Sequence, residues 1–322
     1  MTPAHLEEER TLVVTERREL VPGIVAFTLA AADGSELPLW QPGAHIDLIV
    51  GDDVVRQYSL CGDPADRSSY RVAVLREDDG RGGSTRIHEE LFAGEQVQIR
   101  GPRNHFAFEV APRYRFIAGG IGITAILPMV RTAAARGAEW SLAYGGKSVA
   151  GMAFAAELAR EFPDRVALFP SASTGRMDVA AQLAAPDPVT DVYCCGPQAL
   201  MDAVEAAAGT AGWLPGAVRM ERFVPRELGA PVWQEPFEVD LLLSGQVVTV
   251  TPDTTVLEAC RGAGALVLSS CETGTCGTCE TPVLEGAIDH RDSVLTADEQ
   301  AAGDRMMICV SRAAGPRLTL EL

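Results

Sequence analysis

Four of the eight cysteines fall in a pattern that chemistry can use: Cys271-x4-Cys276-x2-Cys279, then Cys309 after twenty-nine intervening residues. Four thiolates at that spacing can hold the two irons of a [2Fe–2S] cluster. The residues between them, Glu272-Thr273-Gly274-Thr275 and Gly277-Thr278, are mostly small, so the loop can wrap tightly and turn backbone N–H groups toward sulfur. Such donors stabilise a reduced cluster. A structural zinc site with four thiolates is the alternative, although zinc modules usually pair two knuckles and Cys309 stands alone. Unligated core thiols are a third reading.

A second constellation is Arg56-Gln57-Tyr58-Ser59-Leu60, followed by Gly80-Arg81-Gly82-Gly83-Ser84-Thr85 at the start of a helix. Glycines, a hydroxyl and an arginine at a helix N-terminus suit a phosphate dianion. Tyr58 offers a flat apolar face to a planar ring and Ser59 a hydroxyl to its edge. Taken singly, the glycine turn is a capped loop and Arg-x-Tyr-Ser a strand fragment. The third constellation is Gly119-Gly120-Ile121-Gly122-Ile123-Thr124-Ala125 between a strand and a helix, where Gly120, Gly122 and Ala125 match a dinucleotide fingerprint. The ribose carboxylate of that fingerprint is missing from the end of the next strand, Tyr144-Gly145-Gly146-Lys147; Lys147 and Ser148 offer a cation and a hydroxyl instead. Cys195-Gly196-Pro197 follows a later strand at the same sheet edge. Core packing is the alternative for Cys194 and Cys195, and strand alternation lets only one of them share a given face.

The five histidines, His5, His45, His88, His105 and His290, form no Cys-x-His or His-x3-His arrangement, so neither a Rieske centre nor a mononuclear iron site is visible. Ser173, in Ser171-Ala172-Ser173-Thr174-Gly175, lacks a nucleophile elbow and reads as a loop hydroxyl.

The elements that must position these groups change character along the chain. Up to about residue 110, short alternating runs (Thr11–Thr15, Ile24–Leu29, His45–Val50, Gln57–Leu60, Tyr70–Leu75, Gln96–Gly101) and one helix, Ser84–Phe92, suggest an antiparallel barrel or sandwich. From Arg115, strands at Arg115–Ala118, Trp140–Tyr144, Arg165–Phe169, Asp191–Cys194 and Ala217–Glu221 alternate with helices at Thr124–Arg136, Met152–Glu161, Asp178–Ala184 and Gln198–Ala211. That alternation predicts a parallel sheet covered on both faces, with its ligand crevice at the carboxyl ends of the strands. A Pro-rich linker, Pro225–Pro236, precedes strand-like Phe237–Leu243 and Gln246–Thr251, a short helix from Val256, the cysteine loop, and strands near Met307–Val310 and Arg317–Leu320. Three modules fit this better than two: residues 1–110, 111–225 and 237–322, with 226–236 as linker.

Of the 322 residues 47% are hydrophobic and 22% charged, an ordinary globular composition. The net charge of -17 argues against nucleic acid or anionic membrane as partner. It divides as -8 over residues 1–110, zero over 111–225 and -9 over 226–322, so a neutral middle lies between two acidic ends. The longest uncharged stretch of the Gly-rich region, Phe116–Val130, has fifteen residues with three glycines and a proline, short of the ~20 that span a bilayer. The N-terminus is acidic with no apolar run behind it, which points to the cytoplasm, where cysteines are thiols or metal ligands.

Taken in order, Arg56–Leu60, the Gly80–Ser84 turn, the Gly119–Thr124 loop, Cys195-Gly196-Pro197 and the C-terminal cysteine module resemble the phthalate dioxygenase reductase family, which includes vanillate O-demethylase reductases. The resemblance runs from about Thr11 to the end. It is most specific from Cys271 to Leu295, through Val283-Leu284-Glu285-Gly286 and Asp289-His290-Arg291-Asp292. It implies a multidomain α+β and α/β protein: a flavin-binding antiparallel β-barrel, a parallel-sheet NAD(P)-binding domain and a β-grasp, plant-type [2Fe–2S] ferredoxin domain. By the same resemblance Arg56, Arg81, Gly82, Gly83 and Ser84 hold the FMN phosphate, Tyr58 packs on the isoalloxazine, and Ser59 bonds near its N5. Phe223 would lie against the flavin, with a linker-anchoring aromatic as the alternative. Gly120, Gly122, Thr124, Cys195, Gly196 and Pro197 would line the nicotinamide approach, Ser59 and Cys195 acting at the reacting centre. Cys271, Cys276, Cys279 and Cys309 would ligate the cluster. Ala125 departs from the proline of many relatives. FMN is favoured over FAD because the Gly-Arg-Gly-Gly-Ser turn resembles the FMN-specific branch; NADH is favoured, with NADPH open, since Lys147 and Arg176 can face either a 2′-phosphate or a pyrophosphate.

The implied activity is that of an oxygenase reductase component, carrying electrons from NAD(P)H through FMN to the [2Fe–2S] cluster and on to a Rieske-type oxygenase that hydroxylates or O-demethylates an aromatic. A monomer is expected, its acidic C-terminal module docking on a basic partner face. A cytochrome P450 as acceptor and a redox-sensing iron–sulfur flavoprotein are the rival readings.

Overall fold

The computed structural model describes residues 9–51, 54–80, 82–214, 216–226 and 228–322. They form two compact units that divide between Glu221 and Arg222.

The first unit opens with a six-stranded antiparallel sheet of β1 (Glu9–Val21), β2 (Ile24–Ala31), β3 (His45–Val50), β4 (Val54–Ser59), β5 (Tyr70–Leu75) and β6 (Gln96–Arg103), in the order β4-β3-β6-β1-β2-β5. Residues two apart share a face, so Leu12 and Val14, Phe27 and Leu29, Ile46 and Leu48, Val72 and Val74, and Val97 and Ile99 turn into one buried core. The sheet curls until its edges meet: Cys61 N–H, just past β4, donates to Arg71 O in β5 at 2.8 Å. Helix α1 (Gly83–Glu90) seals this barrel with Ile87 and Leu91.

The chain then alternates β7 (Arg113–Gly119), α2 (Ile123–Ala135), β8 (Glu139–Gly146), α3 (Ala155–Glu161), β9 (Val166–Pro170), α4 (Ser171–Thr174), α5 (Val179–Leu183), β10 (Thr190–Cys195), α6 (Gln198–Ala211) and β11 (Val218–Glu221). The five strands are parallel in the order β11-β10-β7-β8-β9. Strand order reverses between β7 and β10, and such a switch point opens a crevice at the carboxyl ends of those two strands. Alternation sends Phe116, Ala118, Tyr193 and Cys195 to one side of the sheet and Ile117, Val192 and Cys194 to the other.

The barrel and the parallel sheet share a core. Ile24, Ala26, Cys61 and Ala73 pack in the same buried cluster as Phe116, Ala118, Tyr193 and Cys195. Phe106 and Phe108 meet the Tyr193 ring at 5.6 and 5.3 Å, and Tyr193 Oη accepts from Glu109 N–H at 2.9 Å. This shared core is why the two expected modules form one compact unit.

The second unit contains β12 (Phe237–Leu241), β13 (Gln246–Val250), α7 (Val256–Gly262), β14 (Glu280–Glu285), β15 (Ile288–Asp289), α8 (Ala297–Ala302), β16 (Arg305–Met307), β17 (Arg312–Ala313) and β18 (Arg317–Leu320). Its mixed sheet has the order β13-β12-β18-β14-β16, with β12 and β18 parallel and the remaining pairs antiparallel, and β15 pairs with β17. Helix α7 starts on a capping box, Thr255 with Glu258, and buries Val256, Leu257 and Cys260 against the sheet. Cys279 and Cys309 belong to this core. The Pro-rich stretch is not a loose tether on this side: Arg226 N–H donates to Ser293 Oγ at 3.2 Å, Val232 N–H to Asp289 Oδ2 at 3.1 Å, and the Trp233 ring packs on the core.

Candidate functional site

β4 carries Arg56, Tyr58 and Ser59 to the end of the barrel. Period two puts Arg56 and Tyr58 on one face. The Arg56 side chain lies over the first turn of α1: a Cβ on Gly83 would stand 2.5 Å from Arg56 Nε, so a side chain there would push the guanidinium aside. Gly82 caps the helix at φ 75 and, having no side chain, makes no side-chain cap bond to the first N–H groups, which can serve as a cradle for an anion. Ser84 Oγ accepts from Glu77 N–H at 3.0 Å and keeps its own hydroxyl proton for another acceptor. Arg81 lies outside the described residues. Burial raises the phenol pKa of Tyr58, favouring the neutral ring.

Ser59 is the telling member. It is 5% exposed, and among the described residues its Oγ has no hydrogen-bond partner. A buried hydroxyl in that state costs stability unless something else satisfies it. The edge of a heteroaromatic ring such as a flavin offers both donors and acceptors.

The switch-point crevice lies between the loops after β7 and β10. Gly120 sits at φ 51 with open space where a Cβ would be. Gly122 is the opposite case: a Cβ there would stand 2.5 Å from Cys195 C and 2.7 Å from Gly196 N, so only glycine lets the two loops touch. A Cβ on Gly196 would likewise stand 3.0 Å from Gly119 Cα and N. Pro197 caps α6, whose N-terminus, with that of α2 behind Gly122, gives the crevice two positive helix ends. Tyr144 Oη bonds to Gly120 O and Ala153 O, both at 3.1 Å, bracing the first loop. Thr124 is buried and its hydroxyl donates to Ile121 O at 2.9 Å, so it shapes the loop from inside. Lys147 is exposed at the end of β8, its carbonyl accepting from Ala172 N–H at 3.0 Å. Phe223 is 40% exposed and falls in the second unit.

One group at this edge carries no motif in the sequence. Glu221 pairs in register with Cys195, its Oε2 is buried without a partner among the described residues, and burial pushes its pKa up to about 8. Burial, with Glu221 and Cys194 adding to it, also raises the Cys195 thiol well above its ordinary range, so Cys195 is a neutral, apolar neighbour and not a nucleophile. A lone glutamate in a short strand has no spacing that distinguishes it; only the fold reveals its burial.

In the second unit Cys271, Cys276, Cys279 and Cys309 are all buried, at 7% exposure or less. The Cys276 thiol donates to Thr278 Oγ1 at 3.3 Å, and the neighbouring thiols, Cys276 beside Cys271 and Cys309 beside Cys279, lower the pKa of Cys271 and Cys279. Thr273 and Thr275 N–H both donate to Cys271 Sγ at 3.4 Å. Glu272 holds a left-handed φ of 54 in this loop, pinned by Arg261 at 2.7 Å and Ser269 at 2.8 Å. Among the described residues no three His, Cys, Asp or Glu side chains converge on one ion. Four buried thiols on a loop that turns N–H groups to sulfur suit a cluster of two irons, each taking two protein thiolates. Elsewhere, a concavity of about 510 Å3 beside Ile49, Gly51, Leu91 and Gln96 includes none of these groups.

Residues 241–314 match the family model for a 2Fe-2S iron-sulfur cluster binding domain. The chain is 42% identical over 301 residues to the phenoxybenzoate dioxygenase subunit beta of Ectopseudomonas oleovorans, covering 93% of both chains. Its structure aligns with that of a phthalate dioxygenase reductase, described as a modular structure for electron transfer from pyridine nucleotides to [2Fe-2S], at TM-score 0.71 and 36% identity over 98% of both chains. It also aligns with an intact type IV self-sufficient cytochrome P450 monooxygenase at TM-score 0.91 and 43% identity, spanning 43% of that longer chain. Among the described residues, no helix is long and apolar enough to cross a membrane.

Proposed function

The chain belongs to the phthalate dioxygenase reductase family of flavin and iron–sulfur oxidoreductases, and from that premise we propose that it is the reductase component of a multicomponent oxygenase, delivering NADH electrons through FMN and a [2Fe–2S] cluster to a Rieske-type oxygenase. The observation that carries this reading is the set of four buried thiols with loop N–H groups turned to sulfur. When bound, the flavin and the cluster supply the conversion of a two-electron donor into one-electron deliveries.

The chain's own residues bind and orient. In this reading Arg56, Arg81, Gly82, Gly83 and Ser84 hold the FMN phosphate, Tyr58 covers a ring face, and the Ser59 hydroxyl meets the ring edge. Gly120, Gly122, Gly196 and Pro197 place the dinucleotide at the switch point, with Thr124 shaping the loop and Lys147 at its rim. Cys195 lines the nicotinamide approach, and the protonated Glu221 carboxyl beside it keeps that end of the crevice uncharged. Cys271, Cys276, Cys279 and Cys309 hold the cluster. The modules are 1–110, 111–225 and 237–322, with 226–236 joining the last; the protein is a cytoplasmic monomer.

A visible spectrum before and after NADH tests the core of this reading. Flavin and [2Fe–2S] bands that bleach together support it, and a colourless zinc protein refutes it. Flavin released by acid and identified by chromatography separates FMN from FAD. The P450 alignment favours a second reading, in which a P450 accepts the electrons. Reduction rates with a Rieske oxygenase and with a P450 distinguish the two.

A further inference from the structure

The segment Asp289-His290-Arg291-Asp292 supplies no group to the sites above, yet it reaches the cysteine loop. Its centre is Asp292, a carboxylate 1% exposed. Oδ2 accepts from Val294 N–H at 3.0 Å and Leu295 N–H at 2.8 Å, and Oδ1 accepts from the Ser311 hydroxyl at 3.3 Å. The His290 ring stands 3.7 Å from Oδ1. Burial works to raise the carboxyl's pKa, but His290 and the Leu295 and Val294 N–H groups outweigh it and hold it below the ordinary range. Asp292 is thus a fixed anion that locks the turn 292–295 and links it to Ser311, two residues past Cys309. Ser311 Oγ in turn accepts from Arg291 N–H at 3.1 Å.

This turn grips the loop between Cys271 and Cys276. Ser293 N–H donates to Gly274 O at 2.8 Å. A Cβ on Gly274 would stand 3.2 Å from Asp292 Cα and 2.5 Å from Val310, so the two segments pack with no space between them. The carbonyl of Gly274 and the N–H of Thr275 belong to one planar trans peptide, in which they point in opposite directions. Fixing the carbonyl on Ser293 therefore fixes the N–H, and that N–H donates to Cys271 Sγ at 3.4 Å.

We propose that Asp292 is a positioning residue that raises the reduction potential of the [2Fe–2S] cluster from outside its ligands, by locking the turn whose Ser293 N–H aims the Gly274–Thr275 peptide at the Cys271 sulfur. The inference rests on the cluster reading above. Hydrogen bonds to cluster sulfur are among the determinants of potential, since an N–H dipole stabilises the added negative charge of the reduced state. The charge of Asp292 itself acts the other way. Two substitutions separate the effects: Asp292→Asn removes the charge but keeps an acceptor for Val294 and Leu295, whereas Asp292→Ala removes both.

The test is an anaerobic redox titration of the full-length holoprotein, followed by the electron paramagnetic resonance of the reduced cluster. At a fixed poise the reduced-to-oxidised ratio of Asp292→Ala is expected to be roughly tenfold below that of Asp292→Asn, which is a potential about 59 mV more negative. Equal potentials in the two variants overturn the proposal. If Asp292→Ala does not retain the cluster, Ser311→Ala, which removes a single donor to the carboxylate, takes its place: a potential below wild type supports the brace, and an unchanged one overturns it. A wild-type protein without any cluster signal would overturn the functional reading instead, an outcome readily told apart from equal potentials.

Discussion

Cys195 and Glu221 stand side by side as the last residues of adjacent parallel strands, at the edge where the crevice opens. Burial holds the Glu221 proton up to a pKa of about 8, whereas in the unfolded chain the carboxyl ionises near its ordinary 4.5. Between those values the unfolded state loses the proton first, so the stabilising contribution is full below pH 4.5 and is lost as pH rises through about 8. Thermal unfolding midpoints measured from pH 5 to pH 9 should decline across that window, and Glu221→Gln should flatten the decline. Parallel curves for the two proteins would show that the carboxyl is not buried as a neutral acid.

The contact of Gly122 with the Cys195 carbonyl group allows no intervening methyl. Gly122→Ala forces the loops after β7 and β10 apart, an overpacking that costs about 1–3 kcal/mol. Dinucleotide placement should suffer more than the fold. With ferricyanide as acceptor, so that the cluster is bypassed, KM for NADH should rise roughly tenfold or more, because small displacements of a bound reactant carry large rate penalties. A variant that unfolds a few degrees earlier with unchanged KM would place the nucleotide elsewhere.

Ser59 offers a test in which stability and activity move apart. Its hydroxyl is buried and unpartnered among the described residues, so removing it from the flavin-free protein relieves a desolvation cost of about 1–3 kcal/mol. Apo Ser59→Ala should therefore be as stable as wild type or more so. The flavin-loaded variant should accept hydride more slowly, on the order of tenfold to a hundredfold, as when a preorganised donor at a reacting centre is removed. Stopped-flow flavin reduction beside differential scanning calorimetry reads both. Equal loss of stability in the apo and loaded forms would make Ser59 a packing residue.

Much of this architecture was legible in residue order, for a physical reason: period-two apolar runs and strand–helix alternation are local patterns, and β3, β5, α6 and β18 begin and end where those patterns do. The cysteine spacing was equally local. β14 carries no readable strand signal because Pro282 cannot donate to a ladder, yet Val283 N–H donates to Asp304 O at 2.9 Å and Pro282 O accepts from Glu321 N–H at 3.1 Å. α8 had a readable sign, Thr296 with Glu299 in a capping box, but six residues are too few to show a helical period. Glu221 and the Asp292 brace were invisible because each depends on burial and on partners far away in sequence. The shared barrel core has the same character: no window around Cys61 or Ala73 shows that they will pack against Tyr193 and Cys195.

The second unit is the acidic end of the chain, with 15 acids against 6 bases from residue 226 onward. Several of its bases are already engaged: Arg317 with Asp240 and Glu238, Arg261 with Glu272, and Arg312 with the Thr251 and Thr254 carbonyls. The field a partner meets is therefore negative, and such a field accelerates encounter with a basic surface by roughly tenfold or more at low ionic strength. Screening shortens its reach from about 10 Å at 0.1 M salt to about 3 Å at 1 M. Electron delivery to the cognate oxygenase should accordingly slow as salt rises, with the loss appearing in kcat/KM for the oxygenase and not in NADH oxidation by ferricyanide. Charge reversal on this unit at exposed acids, such as Asp298→Lys with Asp304→Lys, should weaken that salt dependence. A salt response equal for both acceptors would locate it in the nucleotide step and remove the case for electrostatic docking.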